Sequence, residues 1–347
     1  MSKLWEDIVR QMDELKKCLD YTLGPGRAKL DAAAALVKQA KYVYITGIGA
    51  SWHAGIGVQH LFHTHGISAH LVDTAELEFM CPIPPDTALV VLSRSGRSIE
   101  IVNVLDKAAQ TNAKVIGITN AADSPLGERA GVTLLCNVAF DAAASIATYT
   151  APGLVGGLLA VHSGGKLEGE LTKALAQAFA DTNALVPAWR TQIRKSGWLE
   201  AEGPTFFLAR GCSMASSYEA RLLWLEVAKA TSTSMTTSTF RHGPQEILAA
   251  GDIRVVVWLD PARSRENDLR LINDLRKRHS AVFVVGQQIE PNPRDLWIDL
   301  PEIPADWQFL TDIVPIQIAA ETLALHRGYD CDKFLVCSYV VDSDGGL

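Results

Sequence analysis

No two cysteines are spaced as CxxC: the six, Cys18, Cys81, Cys136, Cys212, Cys331 and Cys337, are scattered over 347 residues. A chain of this length buries enough apolar surface to fold without disulfide staples, so they read as reduced thiols and not as a zinc ribbon or a disulfide framework. Excess positive charge is lacking too. Thirty-two Lys and Arg face 39 Asp and Glu, a formal charge of −7, which offers nothing to draw a phosphate polymer by counterion release. Nucleic acid is therefore not expected as a partner. No uncharged apolar run reaches the roughly 18 residues of a membrane span. The nearest, Ala142 to Gly165, is interrupted by Ser, Thr, His and five glycines. The opening MSKLWEDIVRQMDELKK is charged every few residues, where a secretory signal needs an apolar stretch of about 7 to 15. No membrane partner and a cytoplasmic location are expected. Only 15 prolines and 20% charged residues accompany 48% apolar ones, the profile of a packed globular chain. Its length favours two domains of roughly 100 to 200 residues each.

Leu4, Ile8, Met12, Leu15 and Leu19 recur at spacings of three and four, the period of an amphipathic helix, which ends at the Gly24-Pro25-Gly26 breaker. A second helix, Leu30 to Ala40, leads into a strand at Tyr42 to Thr46. Beyond it, further apolar strands are expected near Ser68 to Val72, Ala88 to Leu92, Lys114 to Thr119 and Val132 to Cys136, with helices toward His63 and over Ser98 to Thr111. The alternation returns with Phe206 to Ala209, a helix from Met214 to Lys229, Arg254 to Leu259, a helix over Glu266 to Arg278, Ala281 to Val285 and Leu296 to Leu300. Continuous apolar strands separated by helices predict parallel sheets covered on both faces. Gly49-Ala50-Ser51 and Gly211-Cys212-Ser213 each follow a strand and open a helix, 162 positions apart, and Val90-Val91-Leu92 matches Val256-Val257-Trp258 at an offset of 166. Near-constant offsets point to two copies of one architecture.

The copies differ where a ligand would sit. The first continues from its strand into Ser93-Arg94-Ser95-Gly96-Arg97-Ser98 and the second into Asp260-Pro261-Ala262-Arg263. A loop of small hydroxyl residues opening a helix offers unpaired backbone N–H groups and a favourable dipole to an anion. Proline removes a donor and Asp adds like charge, so only the first copy is expected to hold a phosphate. Gly47-Ile48-Gly49-Ala50-Ser51-Trp52 with Asp73 imitates a dinucleotide fingerprint, but Trp52 occupies the third glycine position, where helix and strand must pack closely. A nicotinamide enzyme is thus a minor alternative, and no cofactor is expected. Glu226 lies among Leu222, Leu223, Leu225 and Val227, and such surroundings disfavour the charged carboxylate, as a general base requires. His242, between Arg241 and Gly243-Pro244, is placed to exchange a proton near neutral pH. His60, His63 and His65 with Cys81 match no zinc spacing, and no metal is expected.

Strand-GIGAS-helix and strand-SRSGRS-helix in the first copy, with the Glu226 helix and the FRHGP turn in the second, closely resemble a tandem pair of sugar isomerase (SIS) domains. The resemblance covers about Ala35 to Val340. It is to the isomerase half of glucosamine-6-phosphate synthase, the tagatose-6-phosphate ketose/aldose isomerases and the fructosamine-6-phosphate deglycases. The implied fold is α/β, two flavodoxin-like doubly wound parallel-sheet domains in tandem. The corresponding segments are an N-terminal helical segment (1–34), a first SIS domain (35–170), a helical connector (171–198), a second SIS domain (199–340) and a tail (341–347). The resemblance further implies phosphate binding by Ser93, Arg94 through its backbone, Ser95 and Ser98. It places Ser51 and Ser145 on sugar or phosphate oxygens, Glu226 as the proton carrier and His242 as an aid to ring opening across a homodimer interface. The expected partner is a phosphosugar, and the expected reaction is aldose/ketose isomerisation or deglycation/deamination through an enediol or enolamine. The family's synthase carries lysines where this chain has Leu223 and, near its C-terminus, Leu335-Val336-Cys337-Ser338-Tyr339. No Schiff-base amine is evident, which keeps open a non-catalytic phosphosugar sensor.

Overall fold

The computed structural model describes residues 1–343; the last four positions of the expected tail lie outside them. The chain divides into two compact units. The leading unit comprises 10–141, 145–176 and the described residues from Phe334 on; the trailing unit comprises 1–9, 142–144 and 177–333. Helices α1 (Lys3–Leu23) and α2 (Arg27–Gln39) precede the first sheet. That sheet is built from β1 (Tyr42–Gly47), α3 (Ala50–Thr64), β2 (Ala69–Asp73), α4 (Thr74–Phe79), β3 (Thr87–Ser93), α5 (Ile99–Thr111), β4 (Lys114–Thr119), α6 (Pro125–Arg129) and β5 (Val132–Leu135). Helix α7 (Ala147–Ser163) follows, and α8 (Gly169–Lys195) contributes to both units.

All strand pairs in this sheet are parallel, in the order β2-β1-β3-β4-β5. Every residue of β3 is buried, because the central strand is covered on both faces; that is why its apolar run is legible without alternation. The Ala142–Gly165 stretch becomes α7, buried along nearly its whole length. It lies against α3, where Gly156 leaves room for Val58. An all-round apolar helix here is a core helix, and among the described residues none is long and apolar enough to cross a membrane.

The trailing unit repeats the plan with β6 (Thr205–Ala209), α9 (Met214–Glu226), β7 (Ser232–Thr236), α10 (Thr237–Arg241), β8 (Arg254–Leu259), α11 (Arg265–Lys277), β9 (Ala281–Gly286), β10 (Leu296–Asp299) and α12 (Val314–His326). Its strands run β7-β6-β8-β9-β10, again all parallel. Both sheets thus have the flavodoxin-like 2-1-3-4-5 order expected from the sequence. Gly49 and Gly211, which open the helices after β1 and β6, share a φ of 55°. One sheet element departs from the sequence reading. Strand β7, Ser-Thr-Ser-Met-Thr, is half-buried throughout and pairs only with β6. As an edge strand it needs no apolar run, so its polar sequence reads as a loop. Helix α9 also stops at Glu226, three residues short of the expected end, because Lys229 turns to φ 50°.

Candidate functional site

In a 2-1-3-4-5 sheet the loops leaving the first and third strands diverge to opposite faces, and the crevice between them is where ligands bind. In the leading unit those loops carry Ser51, after β1, and Ser93 to Ser98, after β3. The second loop is shaped by its own hydroxyls and by neighbouring backbone. The Gly96 N–H donates to Ser93 Oγ (3.0 Å) and the Arg97 N–H to Ser95 Oγ (3.3 Å). The Arg94 carbonyl accepts from the Asn120 N–H (3.2 Å) and the Thr119 hydroxyl (3.3 Å), and the Gly96 carbonyl accepts from the Leu126 N–H (3.2 Å). Ser98 is the N-cap of α5 but makes no capping hydrogen bond. Ser95 and Ser98 are half-buried, while Ser93 is buried. Ser145 joins them through the Arg94 guanidinium, whose Nη1 donates to Ser145 Oγ at 3.3 Å. Ser93, Arg94, Ser95, Ser98 and Ser145 are therefore one cluster, and Ser51 lies at the carboxyl end of the strand beside it.

Sequence reasoning did not anticipate what else meets this cluster. Arg94 Nη2 donates to the Tyr339 carbonyl (2.9 Å), and the Ile99 N–H, first of α5, donates to the Val341 carbonyl (3.1 Å). Arg97 pairs with Asp123 on the exposed rim (3.1 Å). Contacts across more than 200 residues leave no trace in local spacing.

The equivalent crevice of the trailing unit is filled by its own carboxylates. Asp260 Oδ1 accepts from the N–H groups of Ala262 (2.8 Å) and Arg263 (3.1 Å), and Oδ2 from the N–H and hydroxyl of Ser264 (both 3.0 Å). Burial pushes the Asp260 carboxyl up, but these donors more than reverse it and hold it below its ordinary value. The side chain thus satisfies the donors that an anion would use. Arg210 is likewise committed, to the buried Asp268 (3.1 Å). Burial outweighs this pairing, and the Asp268 carboxyl is raised. Ser213, the counterpart of Ser51, donates to Asp312 at 2.6 Å; Ser216 bonds the same carboxylate.

Asp312 is fully buried, and burial pushes its carboxyl up to about 7 against the serine hydroxyls that favour the charged form. A carboxyl moved from 3.8 to about 7 corresponds to on the order of 4 kcal/mol. The unfolded chain releases this proton near pH 3.8 while the folded chain keeps it to about pH 7. The contribution to stability is therefore complete below pH 3.8 and lost as pH rises through 7. Urea unfolding of Asp312→Asn is expected to show a smaller fall in stability from pH 5 to pH 8 than the wild type and a more stable protein at pH 8. The serine hydroxyls can donate to, or accept from, an amide. Equal pH slopes for the two proteins would remove Asp312 from this role.

Glu226 and His242 both belong to the trailing unit. Glu226 is the last residue of α9 and half-buried; its carbonyl accepts from Lys229 Nζ (2.6 Å). The apolar surround expected of it is one-sided, since Leu223 and Val227 are buried but Leu225 is 48% exposed. His242 follows α10 and is exposed. Strand β7 runs between them, Glu226 preceding its amino end and His242 following its carboxyl end. Trp224 of α9 packs on Phe207 (5.1 Å between ring centroids) and Phe240 of α10 on Phe206 (5.6 Å), and successive residues of a strand point to opposite faces, so the helix that ends in Glu226 and the helix that leads to His242 lie on opposite faces of the sheet. The trailing unit by itself does not bring them together. His63 and His65 are occupied with backbone carbonyls, of Ala69 and Leu61 (both 2.9 Å). Among the described residues no group of three or more His, Cys, Asp or Glu is arranged to hold a metal.

With this geometry in view, comparison with known proteins is specific. Residues 36–162 match the SIS domain family. A glutamine–fructose-6-phosphate aminotransferase [isomerizing] from Aeropyrum pernix is 28% identical over 324 residues, covering 87% of this chain and 51% of its own. The chain spans about half the length of the curated relatives it matches. The C-terminal domain of glucosamine-fructose-6-phosphate aminotransferase from Francisella tularensis superposes with a TM-score of 0.84 at 17% identity, covering 96% of this chain and 98% of that one. A glucosamine-6-phosphate deaminase from Thermotoga maritima does so with a TM-score of 0.82 at 20% identity, covering 98% and 99%. At such identities the structures establish the fold. Residues 36–162 thus carry the SIS match, the second sheet repeats the 2-1-3-4-5 order of the first, and the fold is that of two SIS domains in tandem.

Proposed function

We propose that the protein binds a hexose 6-phosphate or amino-hexose 6-phosphate and moves a proton between C1 and C2, isomerising the sugar or releasing its amine. The observation that carries this reading is the asymmetry of the two crevices. In the leading one the loop and helix donors meet only neutral acceptors, the hydroxyls of Ser93 and Ser95 and the Val341 carbonyl, which an anion can replace, while in the trailing one they are held by the Asp260 carboxylate. The phosphate is bound by Ser93, the Arg94 backbone, Ser95 and Ser98, with Ser51 and Ser145 on neighbouring oxygens. Glu226 carries the proton and His242 assists ring opening. Because the helices that carry these two lie on opposite faces of the trailing sheet, the reading draws one of them from a second copy of the chain and so requires a homodimer. Fructose-6-phosphate and glucosamine-6-phosphate, in the names of the similar proteins, support this substrate class.

The test is a melting-temperature series with fructose 6-phosphate, tagatose 6-phosphate, glucose 6-phosphate and glucosamine 6-phosphate, followed by assays for ketose–aldose conversion and for ammonia. A ligand at 100 times its Kd stabilises the folded state by about 2.7 kcal/mol, so a rise of several degrees is expected. No shift with any of them would dispose of the phosphosugar reading. Binding without turnover by any assay would make the protein a sensor.

A further inference from the structure

The donors at the mouth of the leading cradle are in use, and their acceptors come from the far end of the chain. The Ile99 N–H is the first of α5 and belongs to the set that a helix leaves without an internal partner. It is held by the Val341 carbonyl, and the Arg94 guanidinium by the Tyr339 carbonyl. Acceptors two residues apart on one segment thus take two donors at the edge of a site read as an anion cradle. The segment is largely open to solvent. Leu335, Val336, Tyr339 and Val341 are 68%, 76%, 49% and 48% exposed. Two of its stabilising contacts are internal, Ser338 Oγ donating to the Val340 carbonyl (2.7 Å) and the Phe334 ring meeting that of Tyr339 at 4.9 Å. Few buried apolar contacts place it at the low end of local stability.

We infer that Tyr339–Val341 is an internal competitor of the ligand: its carbonyls occupy cradle donors, and a phosphorylated sugar displaces them on binding. Hydrogen bonds to an ionised acceptor are roughly twice as strong as those to a neutral carbonyl, so a phosphate oxygen wins the exchange. The segment then weakens binding of any ligand by the free energy of its own docking. This rests on the phosphosugar reading of the cradle.

The experiment uses the full chain with inorganic phosphate as the probe. Cys337 is exposed, and apart from the half-buried Cys81 the other cysteines are buried; a fluorophore on Cys337 in a Cys81→Ala background reports the segment. Its anisotropy is expected to fall as phosphate is added. Calorimetry is then run on Tyr339→Gly/Val341→Gly. The added backbone freedom of the two glycines loosens docking and is expected to tighten phosphate binding by up to about tenfold. Affinity that is unchanged or weaker, or an anisotropy that rises as though the segment closed over the ligand, overturns the inference while leaving the cradle intact. Phosphate binding to neither protein, both folded by circular dichroism, overturns the phosphosugar reading and this inference with it.

Discussion

Replacing Glu226 by Gln is expected to abolish turnover while phosphosugar affinity stays near that of the wild type. The amide keeps the size and hydrogen-bonding reach of the carboxylate but cannot accept a proton at neutral pH. A positioned acid–base group is worth about 10² to 10⁴ in rate, and that factor is what the substitution should remove. Glu226 is half-buried at the end of α9, and the bond it makes to Lys229 uses the backbone carbonyl, which Gln retains. Steady-state kinetics beside calorimetry on the same preparation makes the distinction. A fall in kcat with unchanged Kd fits a proton carrier. Full activity in the variant would exclude Glu226 from the chemistry.

Gly96→Ala is expected to cost about 2 to 4 kcal/mol of stability and to weaken phosphate binding at least about tenfold. Gly96 has φ 63°, where an L-residue is strained by roughly 1 kcal/mol or more. A Cβ there would also run into the Ser124 side chain, with Ser124 Cβ at 2.8 Å and Leu126 Cβ at 3.1 Å. Ser124 cannot retreat cheaply. It is the N-cap of α6, accepting from the Gly127 N–H (3.1 Å) and donating to the Ala121 carbonyl (2.7 Å). Relief therefore comes from the loop itself, which re-aims the N–H groups and hydroxyls of Ser93 to Ser98. Gly66→Ala is the control. Its φ of 78° is likewise positive, but a Cβ there meets nothing within 4 Å. Chemical denaturation should rank Gly96→Ala well below Gly66→Ala in stability; equal losses would mean that Ser124 yields and the loop is not fixed by this contact.

Much of the scaffold could be read without coordinates because its signals are local. The apolar runs of β3 and β8 are buried along their whole lengths, and a strand covered on both faces must be apolar at every position. The repeated glycine-opened turns at Gly49 and Gly211 announce two copies for the same reason: a left-handed residue after a strand is a local demand that glycine meets. Strand β7 escaped because an edge strand answers to pairing with β6 and not to burial. The end of α9 escaped because Lys229 adopts a backbone conformation that its side chain does not advertise.

The sequence by itself therefore determined the alternation of elements, their duplication and the loop with an anion's chemistry, since each depends on neighbours a few residues apart. It also showed that Asp260 and Pro261 make the second loop unlike the first. Only the tertiary structure decided that Asp260 folds back onto the donors of its own loop, that Ser213 is spent on the buried Asp312, and that the helices leading to Glu226 and His242 lie on opposite faces of one sheet. It alone joined Arg94 to Ser145 and to the carbonyl of Tyr339. The physical reason is that a hydrogen bond is chosen by distance and direction in space, and the chain between its partners, 51 residues in one case and 245 in the other, carries no local mark of where they meet.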